Sequence, residues 1–575
     1  MRADEISNGR VVADGARPRR PRDSRRDAGA TVNPPEGNIK IMRSEGSARR
    51  RFLKGAGFAG GALIGLPGAS VASDSASDAA KLVCDVRAFG AKGDGATIDS
   101  PAINRAIDAA AASGGGTVYF RAGNYLCYSI RLKSTVAIYL DAGATIVAAD
   151  PSADSNHSYD LAESNKPWED YQDYGHNHWH NSLIWGEGLE GVSICGPGLT
   201  WGKGLSRGRG DGPVAEHAGV ANKAIALKNC HNVILRDFSI LHGGHFGILA
   251  TGVDNLTIDN LKIDTNRDGI DIDCCRNVRI SNCSVNSPWD DGICLKSSFA
   301  LGYARATEMV TISNCMVSGS YEEGALLDGT FKRLATDEKV PRRGRIKFGT
   351  ESNGGFKNIT IANCVFDGCC GLAIESVDGA VIEDVSVTNI AMRDVYGPPI
   401  FIRLGARMRG PADAPVGKIR RVILSNITCL SARGSEPMSS ILSGIPGHPI
   451  EYVKISDIMI AHMGGGAKED AERRVPEKEK DYPEPTMFGV TPSHGFFVRH
   501  VKFLEMNGIE ISHFNIDARP SFVLEDVEGA DFGRIKAGTM AGAPVFFLNS
   551  VKAFSVWRSR PVADSELDSV ERKEL

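Results

Sequence analysis

The chain has 575 residues, of which 42% are hydrophobic and 24% charged, and its formal net charge is −4. That balance suits a globular protein with one large core or several small ones, and it gives no reason to expect a nucleic-acid partner. Aromatic residues make up only 7% while glycines number 65, which points to many tight turns and therefore many short strands.

Residues 1–46 are rich in Arg, Asp, Gly and Pro without an apolar period, and read as a disordered leader or, given Met42, as sequence ahead of the true start. Residues 47–72 read as an export signal. Arg49-Arg50-Arg51-Phe52-Leu53-Lys54 precedes an apolar run from Gly55 to Leu66, and Ala69-Ser70-Val71-Ala72 offers small residues for cleavage. The adjacent arginines resemble a twin-arginine signal, which predicts bacterial export to the periplasm or the medium and a mature chain starting near Ser73. The apolar run is too short for a stable membrane anchor.

Residues 80–560 read as a single domain. From Ser100 to Ser113, Pro101 and the apolar Ile103, Ala106, Ile107 and Ala110 predict a short helix placed to cover the open end of a sheet structure. The segment 152–180 carries Trp168, Tyr171, Tyr174, His176, His178, Trp179 and His180, and predicts a wall beside a sugar-binding groove. Its histidines match no metal-site spacing. Residues 329–343 and the charged, Pro-rich 464–486 read as further surface loops.

A pattern of apolar, any, apolar, any, Asn or Asp recurs along the middle of the chain. Its second apolar residue is Leu235, Ile258, Ile280, Ile312, Ile361, Val387, Leu424 and Ile455; the polar residue two places on is Asp237, Asn260, Asn282, Asn314, Asn363, Asn389, Asn426 and Asp457. Intervals of 23, 22, 32, 49, 26, 37 and 31 residues describe one coil with inserted loops. Alternation over so few residues means short strands, and a coil of about 22 residues suits a β-solenoid rather than a propeller blade of about 40. The predicted fold is all-β, a right-handed parallel β-helix whose corner Asn side chains stack and satisfy buried turn backbone. Cysteine follows Asn at Cys230, Cys283, Cys315 and Cys364, so most of the 13 cysteines are expected as free, buried thiols.

Two successive coils hold a cluster of acids: Thr265-Asn266-Arg267-Asp268-Gly269-Ile270-Asp271-Ile272-Asp273, then Pro288-Trp289-Asp290-Asp291-Gly292-Ile293-Cys294-Leu295-Lys296-Ser297. Asp268 and Asp290 are 22 residues apart, which predicts the same lateral position on neighbouring coils. Carboxylates brought together repel, one is pushed to hold a proton, and an acid and a base are then available. A solvated acidic turn or a calcium site uses the same residue types.

These motifs resemble glycoside hydrolase family 28, the polygalacturonases. The segment Asp85-Val86-Arg87-Ala88-Phe89-Gly90-Ala91-Lys92-Gly93-Asp94-Gly95 resembles the opening of that family and related β-helix enzymes, and Gly114–Phe120 and Val192–Gly198 also match. The resemblance implies an inverting hydrolase acting on a pectic or related uronate-containing polysaccharide. It makes Asp290 the general acid and Asp268 and Asp291 the bases, with acid and base about 6.5–9.5 Å apart. Asn266 would orient the acids and Lys296 supply a counter-charge. No metal or cofactor is called for, and the protein is expected to act as a monomer.

The chain departs from the family on the next coils. Where the family carries Gly-His-Gly, this sequence reads Gly344-Arg345-Ile346-Lys347-Phe348-Gly349, without His. Arg345 and Lys347 spell the family's Arg-Ile-Lys, but one coil early; the expected coil, Leu372-Ala373-Ile374-Glu375-Ser376, has neither. Arg345, Lys347, Arg403 and Arg407 are candidate ligands for a substrate carboxylate, and Glu351 and Glu375 for sugar hydroxyls. The loop walls predict exo attack. A polysaccharide lyase and a non-catalytic carbohydrate-binding solenoid are the rival readings.

Overall fold

The recurring apolar positions stack as one column. The computed structural model describes residues 83–151, 156–208, 217–431, 439–538 and 542–575, so the leader and the export signal lie outside the described residues. Leu235, Ile258, Ile280, Ile312, Ile361, Val387, Leu424 and Ile455 are register partners on successive parallel strands. Each is at most 1% exposed. The long intervals are insertions: residues 298–306 separate two strands of the Ile280-to-Ile312 coil, and residues 319–345 those of the next.

From residue 184 to 318 a coil carries up to three short strands, as in Phe246–Thr251, Asp254–Asp259 and Lys262–Asp264. Each pairs in parallel with its counterparts before and after, winding the chain into a right-handed parallel β-helix. Further on, strands fuse. Phe356–Asp367 runs through Asn358 and Asn363, whose φ angles of 54° and 57° bend the backbone while its ladder continues.

All eight predicted corner residues adopt positive φ, from 54° at Asn260, Asn426 and Asp457 to 72° at Asp237. Asn and Asp tolerate this conformation better than other side chains. Their amides do a different job from the one expected. Corner backbone groups bond to the next coil, as in Asn260 N to Ser281 O at 3.0 Å and Asn282 N to Ser313 O at 3.1 Å. The side chains, left in solvent, bond to each other: Asn260 donates to Asp237 at 2.9 Å and Asn389 to Asn363 at 3.0 Å.

The helix Ser100–Ala112 begins with Pro in its first turn and buries Ile103, Ala106, Ile107 and Ala110, the predicted face, over the first coils. At the other end the charged strand Ser565–Glu574 pairs antiparallel with Phe546–Trp557 and closes the ladder. All 13 cysteines are free, and 11 of them are buried.

Candidate active site

The strands Phe246–Thr251, Asp268–Asp273, Ile293–Ser297, Ile346–Ser352 and Cys370–Ser376 form one face of the solenoid. Ile270 and Ile272 point into the core, so Asp271 and Asp273 point out of it. Ile270 pairs with Ile293, not with the residue 22 positions on. Asp268 therefore lies beside Asp291, and the expected lateral match with Asp290 is off by one residue. The cause is local: Asp264 still pairs with Asn286, but five residues (265–269) lead to Ile270 whereas six (287–292) lead to Ile293. The extra residue of that turn is what gives the second coil a pair of aspartates.

Asp268, Asp290 and Asp291 come together, each offering a carboxylate oxygen within 4.8 Å of the others. These nearest-oxygen gaps are shorter than the expected separation of about 6.5–9.5 Å between acid and base carboxyls. The three environments differ sharply. Asp291 is 2% exposed. Arg345 Nε donates to its Oδ1 at 2.9 Å, and Lys347 Nζ lies 3.2 Å from its Oδ2. Burial would raise this carboxyl, but Lys347 and Arg345 outweigh it and hold Asp291 well below the usual carboxylate range. Asp268, 4% exposed, is pushed well above that range by burial and then by the charges of Asp271 and Asp290. Asp290 is half-buried, and Arg267 Nη2 donates to its Oδ2 at 2.9 Å.

The other expected residues separate into two groups. Arg345 and Lys347 stand at the trio itself, on the strand next to Asp291. Glu375 lies behind them, 3.7 Å from Lys347 Nζ and 3.9 Å from Arg345 Nη2, fully buried, with neither oxygen hydrogen-bonded to a described residue. Burial, partly offset by Lys347 and Arg345, pushes it up to about 7. Lys296 bonds Glu351 at 3.1 Å and lies 3.7 Å from Asp271, so its counter-charge serves those acids. Arg407 is clasped by Asp378 and Thr350. Arg403 donates to Ser443 Oγ and to the carbonyls of Gly444, Glu477 and Lys478, holding the loop 464–486 rather than facing the groove. Asn266 does not bond the acids: its Oδ1 has no hydrogen-bond partner among the described residues, and its carbonyl accepts from Trp289 N at 2.8 Å.

Residues 156–180 cover the face differently from the aromatic wall expected of segment 152–180. Trp179 is buried and donates to Thr251 Oγ1 at 3.1 Å, Trp168 and Tyr171 pack on Phe299, and His176 Nε2 sits 3.6 Å from Asp271. Sequence reasoning missed Arg267, although it lies beside Asp268. It also missed Tyr482 and Glu484. Glu484 Oε1 accepts from Arg345 at 3.1 Å and from Arg343 at 2.7 Å. Glu484 is 139 residues from Arg345, and no local signal marks it.

The trio is spaced to share a cation, but its donor set is a poor one for a divalent ion: Asp290 and Asp291 are already paired with cations, and burial favours the neutral form of Asp268. Glu163, His180 and Glu187 form a second such cluster, with Lys228 Nζ 2.9 Å from Glu187.

The fold is that of a right-handed parallel β-helix protein. Residues 83–182 match the family described as rhamnogalacturonase A/epimerase, pectate lyase-like, and residues 214–335 match the right-handed beta helix region. The resemblance to polygalacturonases read from the motifs is borne out: the chain aligns over most of its length with a relative of that kind. It is 23% identical over 443 residues, 70% of this chain and 78% of the relative, to a probable polygalacturonase of Vitis vinifera. The family 28 exopolygalacturonase of Yersinia enterocolitica shares its fold with a TM-score of 0.59 at 19% identity, over 78% of each chain. The exopolygalacturonase of Thermotoga maritima does so with a TM-score of 0.55 at 18% identity, over 75% of this chain and 92% of that one. A shorter match, 63% identical over 43 residues, is to the mannuronan C5-epimerase AlgE1 of Azotobacter vinelandii; it spans 8% of this chain and 3% of that protein.

Proposed function

We propose that this protein is an exported glycoside hydrolase that cleaves a pectic or related uronate-containing polysaccharide with inversion, by exo attack, using Asp268, Asp290 and Asp291. The observation that carries this reading is the contrast inside the trio: a carboxyl that burial drives towards its protonated form beside one that Lys347 and Arg345 hold towards the ionised form, close enough to act on one sugar. The polygalacturonase and exopolygalacturonase relatives support the substrate class.

In the reaction the acid gives its proton to the glycosidic oxygen as the bond to the anomeric carbon breaks. The base takes a proton from a water that attacks the same carbon from the opposite face. Asp291 suits the base, because Arg345 and Lys347 keep it ionised. Both its oxygens are held by cations, which keeps it ionised and able to orient a water but weakens it alike as base and as nucleophile. Inversion therefore rests on the family resemblance, because the short gaps in the trio are nearer to the spacing of retaining enzymes. The resemblance assigns proton donation to Asp290, whose Oδ2 accepts from Arg267, whereas the surroundings of Asp268 favour the proton. We take Asp268 as the proton reservoir of the site, with Asp290 and Asp291 both within reach of it.

The test is hydrolysis of pectic polysaccharides followed by proton NMR. Release of the inverted anomer is expected; the retained anomer overturns the mechanism, and an unsaturated product overturns hydrolysis in favour of β-elimination. Asp268→Asn and Asp290→Asn separate the acid roles: the variant that lacks the acid keeps most activity on a substrate with a good aryl leaving group and loses it on the natural linkage.

A further inference from the structure

The cations around the trio are engaged by the chain's own carboxylates. Lys347 serves Asp291 and Glu375, and Arg345 serves Asp291 and Glu484. Arg267 is on Asp290, and Lys296 is on Glu351, where Arg409 also bonds at 3.0 Å. Among the described residues, each Lys or Arg that touches the trio is thus already paired. A uronate carboxylate over Asp290 and Asp291 would meet like charge, and it could win a cation only by breaking an ion pair, most of them buried.

Two aromatic side chains near the trio are partly exposed. Trp289 precedes Asp290 and is 40% exposed; Tyr482, brought by the loop 464–486, is 43% exposed, with Lys347 Nζ 5.9 Å and Arg407 Cζ 5.6 Å from its ring centre, which leaves the rest of the ring for a ligand. An aromatic face packs on the C–H face of a sugar ring and asks for no charge.

We propose that the sugar ring bound over Asp268, Asp290 and Asp291 is a neutral one, packed against Trp289 and Tyr482, even where the polymer carries uronates elsewhere. This rests on reading the trio as a glycosidase site. Such a subsite selects a neutral residue in a mixed acidic polymer by repelling its acidic neighbours.

The experiment compares matched pairs of oligosaccharides from homogalacturonan and rhamnogalacturonan, each as the acidic form and as its carboxyl-reduced, neutral counterpart. Cleavage is followed with the unaltered protein, and binding by calorimetry with Asp268→Asn, which leaves every ion pair in place. The neutral member of a pair is expected to be favoured about tenfold or more in kcat/KM and in affinity at low salt, with the gap narrowing as salt rises. Trp289→Ala and Tyr482→Ala are each expected to raise KM about tenfold. Equal or better use of the acidic member overturns the inference, as does failure of every oligosaccharide to bind. Neutral preference in binding without any cleavage keeps the subsite and removes the hydrolase.

Discussion

Two rows of polar residues climb this solenoid, and they solve the same problem in opposite ways. At the corner, Asn repeats coil after coil, because a neutral amide is donor and acceptor at once and can bond to its own copy, as Asn389 does to Asn363. On the acidic face, Asp268 and Asp291 also lie side by side on neighbouring coils, yet two carboxylates cannot satisfy each other. One is driven towards the neutral form, and the other is held ionised by Arg345 and Lys347 from the next coil. A ladder of amides is self-sufficient; a ladder of acids must borrow its partners. The corner therefore tolerates substitution, while the acidic face is brittle and reactive.

The largest effect is expected where that face does chemistry. Asp291→Asn should lower kcat on the cleaved polysaccharide by about 10²–10⁴-fold, the range for loss of a positioned base, with an unchanged circular dichroism spectrum. Activity within threefold of the unaltered protein would remove Asp291 from the mechanism.

Removing a borrowed partner should be nearly as costly, but to folding. Lys347→Met leaves Asp291 and Glu375 buried without their ammonium, and stranding buried charge costs about 3–5 kcal/mol. Urea denaturation measures this. In whatever activity remains, the acidic limb of the pH–kcat/KM profile should move to higher pH, because one of the two cations that hold Asp291 low has gone while Arg345 stays.

Glu375 gives a pH signature. Its pKa is about 7 in the folded chain against an ordinary 4.5, so the folded state holds the proton longer than the unfolded one. The stability it contributes is fully present below about pH 4.5 and is lost as pH rises to about 7, a decline of about 3 kcal/mol at most. Glu375→Gln should remove that share of the decline in denaturation midpoints measured across this window. An unchanged slope would show that Glu375 stays ionised.

What was legible in the sequence follows the same division. Period-2 alternation and the recurring Asn marked one strand column and the row of corners that follows it, because both depend on neighbours within one coil; the second row, which includes Asn232, Asn255 and Asn277, was not read. The acid cluster was legible as a cluster, since its members fall one coil apart. Its internal order was not: a single extra residue in the turn 287–292 decides that Asp291, not Asp290, lies beside Asp268. Nor were the partners legible. Glu484 reaches Arg345 from a loop 139 residues away, and Arg403, a plausible substrate ligand by type, is consumed by the carbonyls of that same loop. Long insertions carry their destinations in packing that no local pattern records.

The smallest effect belongs to the corner and tells which of its two features matters. Asn314 has φ 56°, and its amide bonds are long, 3.4 Å to Asn282 and 3.3 Å from Asn363. Exposed bonds of that length contribute little, whereas a side chain unsuited to left-handed backbone costs about 1–2 kcal/mol. Asn314→Ala should therefore lower stability by about 1 kcal/mol without touching activity, and Asn314→Gly, which is free to adopt that backbone, should cost less. If Gly proves worse than Ala in urea denaturation, the amide ladder and not the backbone angle is what selects Asn at these corners.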